Sequence, residues 1–203
     1  MSGRIAALLL AAGRSRRMGG GRLKQLLPYG DRTAVRRCVE SVHGAGVERI
    51  VAVIAPREDL RAAFDGLPVR LVENANPDSD MGTSVLLGLG ALDAETDVVL
   101  ICLADHPLVR AATIRKLAEE HAARPEAILA PAFRGRRGHP VLFPRRALDG
   151  VAAGLTLREA RDGWCGGVRQ LDVDDEGVVI DVDTPEEYER AKALAWREGG
   201  SHG

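Results

Sequence analysis

"LLLAAGRSRRMGGGRLKQLL", residues 8–27, passes from an apolar run through a loop crowded with glycine and arginine to Lys24. Arg14, Arg16, Arg17 and Lys24 gather around this loop, and like charges so close repel unless an anion lies among them. Arginine forks match phosphate oxygens in pairs and lysine adds a mobile point charge. Glycine lets backbone N–H groups approach an anion, and a Gly-rich loop directly after a buried strand is where α/β folds hold phosphates. The loop has neither common phosphate-binding spacing: there is no GxxxxGK[ST], and "AAGRSRRMGG" does not place its glycines as GxGxxG. On these residues alone a solvated surface loop stands as the plain alternative.

Working outward, short apolar runs alternate with helical spacing of apolar positions. Strands are expected over 5–10, 49–54, 69–73, 97–103 and 127–131, and helices over 34–43, 57–64, 83–92 and 112–122. "VVLICLA" is apolar at every position, as a central parallel strand covered on both faces requires. The alternation predicts a single-domain, doubly wound, mostly parallel Rossmann-like α/β sheet with helices on both faces and its ligand at the carboxyl ends of the strands. The last third differs. "GHPVLF" and "VRQLDVDDEGVVIDVD" read as antiparallel or edge strands, a small antiparallel extension with "DDEG" as a turn between two of them. A final helix starts at Pro185, with Glu186 and Glu187 at the positive end of its dipole. The domain is expected over 1–198, with 199–203 a disordered tail.

Composition narrows the function. The 203 residues are 45% hydrophobic and 28% charged, ordinary for a globular domain. Aromatics are 3% and net charge is −1, which argues against nucleic-acid binding by stacking or by a basic footprint. Cys38, Cys102 and Cys165 are odd in number and form no CxxC pair. That fits a reducing cytoplasm and argues against both a disulfide framework and a zinc site. "RIAALLLAAG" imitates a short signal peptide, but the basic residues that follow favour a buried first strand. No stretch is long enough to span a membrane. His43, His121 and His202 read as helix-surface or tail residues.

Five stretches in order carry a resemblance: Leu10-Ala11-Ala12-Gly13-Arg14-Ser15-Arg16-Arg17-Met18-Gly19 with Lys24, "NANPDSDMGTSVLLGL" (74–89), "LADHP" (103–107), "GHPVLF" (138–143) and "DVDTPEEY" (181–188). Together they resemble the MobA-like nucleotidyltransferases, most of all those similar to molybdenum cofactor cytidylyltransferase. The resemblance implies a nucleotide-diphospho-sugar-transferase-like fold. It also implies transfer of CMP from CTP, or of a nucleotidyl group from another nucleoside triphosphate, to a phosphorylated acceptor such as molybdopterin, with release of pyrophosphate. Arg17, Lys24 and Asp105 are then the catalytic residues, with Arg17 and Lys24 on the β- and γ-phosphates. Leu10, Ala11, Ala12 and Gly13 set backbone against base and ribose, and Gly82 and Ser84 approach the nucleotide. Asp105 and Asp183 become the ligands of Mg2+, a cation suited to hard oxygen donors. Gly138, His139 and Pro140 face the acceptor, beside the basic cluster Arg134, Arg136 and Arg137. No general base is required, because a phosphate nucleophile is already ionised at neutral pH.

Two further points follow from the same residues. For Asp183 and Ser84 the alternative to ligand contact is helix capping, with Thr184 and Thr83 as competing caps. The family's GDxGAR-like motif is absent: "AAGLTLREAR" (152–161) keeps Gly154 without the following aspartate, so the acceptor half departs from the pattern. His106 receives no role. The alternatives are a nicotinamide-dependent reductase on the same scaffold and a non-catalytic nucleotide-binding partner of a molybdoenzyme. Retention of Asp105, Asp183 and Lys24 speaks against the reductase, since hydride transfer needs no pair of metal-binding carboxylates.

Overall fold

In a computed structural model the described residues are 4–19, 21, 23–76 and 80–199, with only the backbone described for Arg16 and for 197–199. The readings placed on the Arg16 side chain, on His202 and on 200–203 of the expected tail lie outside the described residues; Gly199 closes the last helix. In chain order the elements are β1 (Ile5–Ala11), β2 (Pro28–Tyr29), β3 (Arg32–Thr33), α1 (Ala34–Gly44), β4 (Arg49–Ile54), α2 (Glu58–Ala62), β5 (Arg70–Glu73), α3 (Met81–Ala91), β6 (Val98–Leu103), α4 (Ala111–Ala123), β7 (Ile128–Phe133), β8 (Arg136–Arg137), β9 (Val141–Pro144), α5 (Asp149–Ala152), α6 (Leu157–Asp162), β10 (Val168–Asp172) and α7 (Pro185–Gly199).

The main sheet runs β10-β7-β9-β6-β1-β4-β5, with β8 added to β7. β1 pairs in parallel with both β4 and β6, β4 with β5, and β7 with β10. The central strands are apolar throughout because helices bury both faces. Ala7, Leu9 and Leu100 meet Val39 of α1 and Leu117 of α4 on one side. Leu8, Val99 and Ile101 meet Val85 of α3, Val151 of α5 and Ala160 of α6 on the other. The alternation of Ala7, Leu8 and Leu9 between these clusters is the period of a strand. On α3, Gly88 faces Leu8, where a Cβ would fall 2.0 Å from Leu8 Cδ1. The missing side chain lets the helix lie directly on the strand that feeds the loop.

The doubly wound, mostly parallel sheet is as the sequence predicts, but its last third is built differently. β9 is not part of an extension; it is inserted antiparallel between β6 and β7, and all four of its residues are buried. β10 is an edge strand, yet it runs parallel to β7. "DDEG" is not a turn between strands. Asp175 is only 1% exposed and accepts hydrogen bonds from Arg110 N at 3.0 Å, Thr113 Oγ1 at 2.5 Å and Gly177 N at 3.1 Å. This buried carboxylate draws the chain against the start of α4, and residues 176–179 form a 3₁₀ turn instead of a strand.

Smaller differences have local causes. The hairpin β2–β3 and the short helices α5 and α6 span too few residues to show a period. α3 begins at Met81 because Asp80 caps it, accepting from Thr83 N at 2.8 Å; neither Thr83 nor Ser84 is the cap. His121 is buried rather than on the surface. The three cysteines are free, and no helix among the described residues is long and apolar enough to cross a membrane.

Candidate active site

The chain leaves β1 for β4 and β5 on one side, then crosses through α3 to β6 on the other. Loops at the carboxyl ends of two such neighbours diverge and leave a crevice between them. A cleft of about 520 Å³ opens there. Leu10 lines it from the end of β1, Ala12, Gly13, Arg17 and Lys24 from the loop that follows, Ser84 from α3, Asp105 from just after β6, and Asp183 from the segment before α7.

The first loop is held by polar contacts that its arginine content did not reveal. Gln25, 1% exposed, donates from Nε2 to Ala11 O at 3.0 Å and Gly13 O at 2.7 Å. Its Oε1 accepts from Ser15 Oγ at 3.0 Å, and Ser15 Oγ accepts from Lys24 N at 2.9 Å. Met18 plugs the loop into an apolar cluster with Leu27, Tyr29, Leu108 and Val182. Such bonds satisfy buried backbone carbonyls and keep the glycine-rich segment in one shape.

Asp105 and Asp183 are brought together by the backbone: Val182 N donates to Asp105 O at 3.0 Å. Thr184 and Glu187 form reciprocal capping contacts at the start of α7, Glu187 N to Thr184 Oγ1 at 3.3 Å and Thr184 N to Glu187 Oε2 at 2.9 Å. Thr184 therefore does the capping and leaves the Asp183 carboxylate to the cleft. Lys24 Nζ lies between the carboxylates, 2.6 Å from Asp105 Oδ2 and 2.7 Å from Asp183 Oδ1. Arg17 Nη2 takes the other oxygen of Asp183 at 2.5 Å, although its side chain is 73% exposed.

Residues 7–185 match the profile described as the MobA-like NTP transferase domain. The chain belongs to that family. It is 32% identical over 200 residues to nicotine blue oxidoreductase of Paenarthrobacter nicotinovorans, covering 92% of this chain and 95% of that protein. It is 32% identical over 197 residues to molybdenum cofactor guanylyltransferase of Cereibacter sphaeroides strain ATCC 17029 / ATH 2.4.9, covering 94% of this chain and 97% of that protein. Among solved structures, Rv0371c of Mycobacterium tuberculosis H37Rv superposes with a TM-score of 0.80 at 28% identity, over 95% of this chain and 100% of that one. A complex of Rv0371C with manganese superposes with a TM-score of 0.73 at 27% identity, over 94% of this chain and 98% of that one.

In this MobA-like domain the charges of the cleft are tightly coupled. Burial alone would lower the Lys24 pKa, but the charges and hydrogen bonds of Asp105 and Asp183 outweigh it and raise the value above that of an ordinary lysine. Burial would likewise raise Asp105; the hydrogen bond from His106 and the charge of Lys24 overcome it and hold the carboxyl well below the usual range. The pair Asp105 and Asp183 presents hard-oxygen donors to one cationic point, the donor type that suits Mg2+. Among the described residues no group of three or more His, Cys, Asp or Glu could chelate a metal. An ion held here would complete its shell from water and from a bound ligand.

The remaining expected residues lie outside the cleft lining. The Ala11 side chain is buried in the core, and Gly82 sits in the first turn of α3, where a Cβ would fall 3.4 Å from Asp80 Oδ1. Gly138, His139 and Pro140 pack behind the carboxylates. Gly138 N donates to Pro131 O at 2.8 Å and His139 N to Val178 O at 2.9 Å. A Cβ on Gly138 would fall 1.9 Å from Val178 O, so only glycine permits that approach. The His139 ring meets the His106 ring edge-on at 5.0 Å, and burial pushes its pKa down to about 4. Arg134, Arg136 and Arg137 are exposed around the turn between β7 and β8. Gln25, Ser15 and Asn74, which donates to Ser84 Oγ at 3.0 Å, were not singled out from the sequence. Their one legible signal is a polar residue inside an apolar stretch, as in "LKQLL".

Proposed function

We propose that this protein transfers CMP from CTP to a phosphorylated small molecule of the molybdopterin type and releases pyrophosphate. The observation that carries the reading is the convergence of Arg17, Lys24, Asp105 and Asp183 in the cleft where β1 and β6 part. Two cations and two carboxylates there form a neutral set that a triphosphate with its divalent ion can enter by exchange. Arg17 and Lys24 hold the β- and γ-phosphates and the charge that develops on leaving pyrophosphate. The backbone of Leu10, Ala11, Ala12 and Gly13 carries base and ribose, while Gly82 and Ser84 border the nucleotide from α3. Asp105 and Asp183 would hold Mg2+, which neutralises phosphate charge when bound. Lys24 leaves the carboxylates for the phosphates as the complex forms.

The acceptor phosphate enters the cleft beside Asp105, and Gly138, His139 and Pro140 support that side of the site from behind the carboxylate. That phosphate is ionised at neutral pH and needs no base, so catalysis consists of alignment for in-line attack and charge neutralisation. The methyl of Ala12 lines the cleft and favours a pyrimidine over the larger purine. A molybdopterin dinucleotide made this way would be handed to a molybdoenzyme in the cytoplasm. The likeness to nicotine blue oxidoreductase supports a second reading, hydride transfer from a reduced nicotinamide. The test is incubation with CTP, Mg2+ and molybdenum-loaded molybdopterin, following pyrophosphate and the cytosine dinucleotide. Pyrophosphate from another phosphomonoester alone keeps the transferase and removes the pterin. Oxidation of NADPH without pyrophosphate from any acceptor moves the conclusion to the reductase.

A further inference from the structure

The two oxygens of Asp105 have different partners. Oδ2 faces Lys24, whereas Oδ1 lies 2.9 Å from Nδ1 of the adjacent His106. An ionised carboxylate can only accept, so Nδ1 carries the proton in this pair. The His106 side chain is 9% exposed and has little room to move. Its backbone is pinned by His106 N donating to Leu103 O at 3.2 Å and by Cys38 Sγ at 3.8 Å from its carbonyl, and His139 meets its ring edge-on. A carboxylate with one oxygen tied to so fixed a donor cannot turn about its last torsion, and the other oxygen stays aimed into the cleft.

We propose that His106 is a positioning residue of this site: its Nδ1–H holds Oδ1 of Asp105 and thereby aims Oδ2 at the cation shared with Asp183. The consequence for catalysis rests on the nucleotidyl-transfer reading; the aim of the carboxylate does not. Groups that orient a metal-binding side chain in this way commonly matter nearly as much as the ligand itself.

Three variants separate this role from simple packing. His106→Asn can place an N–H where Nδ1 stands, His106→Gln places one near Nε2, and His106→Leu supplies none. With CTP present, Mn2+ affinity measured by electron paramagnetic resonance is expected to fall about 10- to 100-fold in the Leu and Gln variants, with Asn restoring most of it. If the Leu variant does not fold, the Asn and Gln pair carries the comparison. Equal Mn2+ affinity in all variants, or rescue by Gln rather than Asn, overturns the proposal. Nitrogen-15 NMR of the imidazole gives an independent readout: a protonated Nδ1 on His106 is expected in the wild type and is lost in Asp105→Ala. Should wild-type protein bind no Mn2+ with any nucleotide, the transfer reading fails. The NMR result then decides the positioning alone, and an unprotonated Nδ1 sinks it.

Discussion

Lys24 and Asp183, 159 positions apart in the chain, meet at 2.7 Å, and the same ammonium touches Asp105 at 2.6 Å. One ammonium thus bridges both carboxylates, and Arg17 supplies the second positive charge at Asp183. Any divalent ion that uses those carboxylates must displace the ammonium, and a triphosphate offers it somewhere to go. Metal and triphosphate binding are therefore expected to favour each other, and by linkage the coupling is reciprocal.

Lys24→Ala tests this directly. Titration calorimetry is expected to show Mn2+ binding without nucleotide about tenfold tighter than in the wild type, within the usual range of coupling between sites. CTP affinity should fall while CMP affinity stays nearly constant, because the proposed role of Lys24 is to hold the outer phosphates. Equal losses for CTP and CMP would place Lys24 elsewhere in the nucleotide site.

Asp105→Asn keeps shape and removes one full negative charge from the proposed metal position. Pyrophosphate release is expected to drop by at least about a hundredfold, the scale seen when one preorganised charge-stabilising group is lost. The circular dichroism spectrum should be unchanged. A variant that folds and turns over normally would remove Asp105 from the chemistry.

In the proposed reading Ala12 carries the choice of nucleotide. Thermal shifts with Mg2+ are expected to be larger for CTP than for GTP, and Ala12→Gly should narrow or reverse the difference. Tighter GTP binding by the wild type would make the protein resemble the guanylyltransferase relative in specificity as well as in sequence.

His139 sets a pH dependence of stability. Its pKa lies near 4 in the folded protein, lowered first by burial and then by His106. Between pH 4 and 6.5 the unfolded chain binds a proton that the folded one refuses, so stability falls as pH drops through this window. From pH 7 to pH 5 this single group costs about 2 kcal/mol. Urea unfolding at both pH values should show a smaller decrease for His139→Leu by roughly that amount. An identical decrease in the two proteins would mean that His139 titrates normally.

What the chain could announce by itself was what neighbours in sequence decide. Continuous apolar runs such as "VVLICLA" marked buried parallel strands, and the basic glycine-rich loop after β1 marked a segment that lines the cleft, because both depend on adjacent residues. The motif residues Arg17, Lys24, Asp105 and Asp183 were legible for the same reason. Their meeting was not, since it depends on β6 taking the place beside β1 and on residue 182 bonding to residue 105. Asp175 shows the limit most plainly: in "DDEG" it has the composition of a turn, yet Arg110 and Thr113 on a distant segment make it a buried acceptor. His106 is the same case within the site. Its place beside Asp105 is written in the sequence, but the contact with His139 that braces its ring exists only after β9 enters the sheet between β6 and β7. Local order is set by propensity and pattern along the chain. The partner of a buried polar group is set by which elements pack together, and that is decided only when the whole core closes.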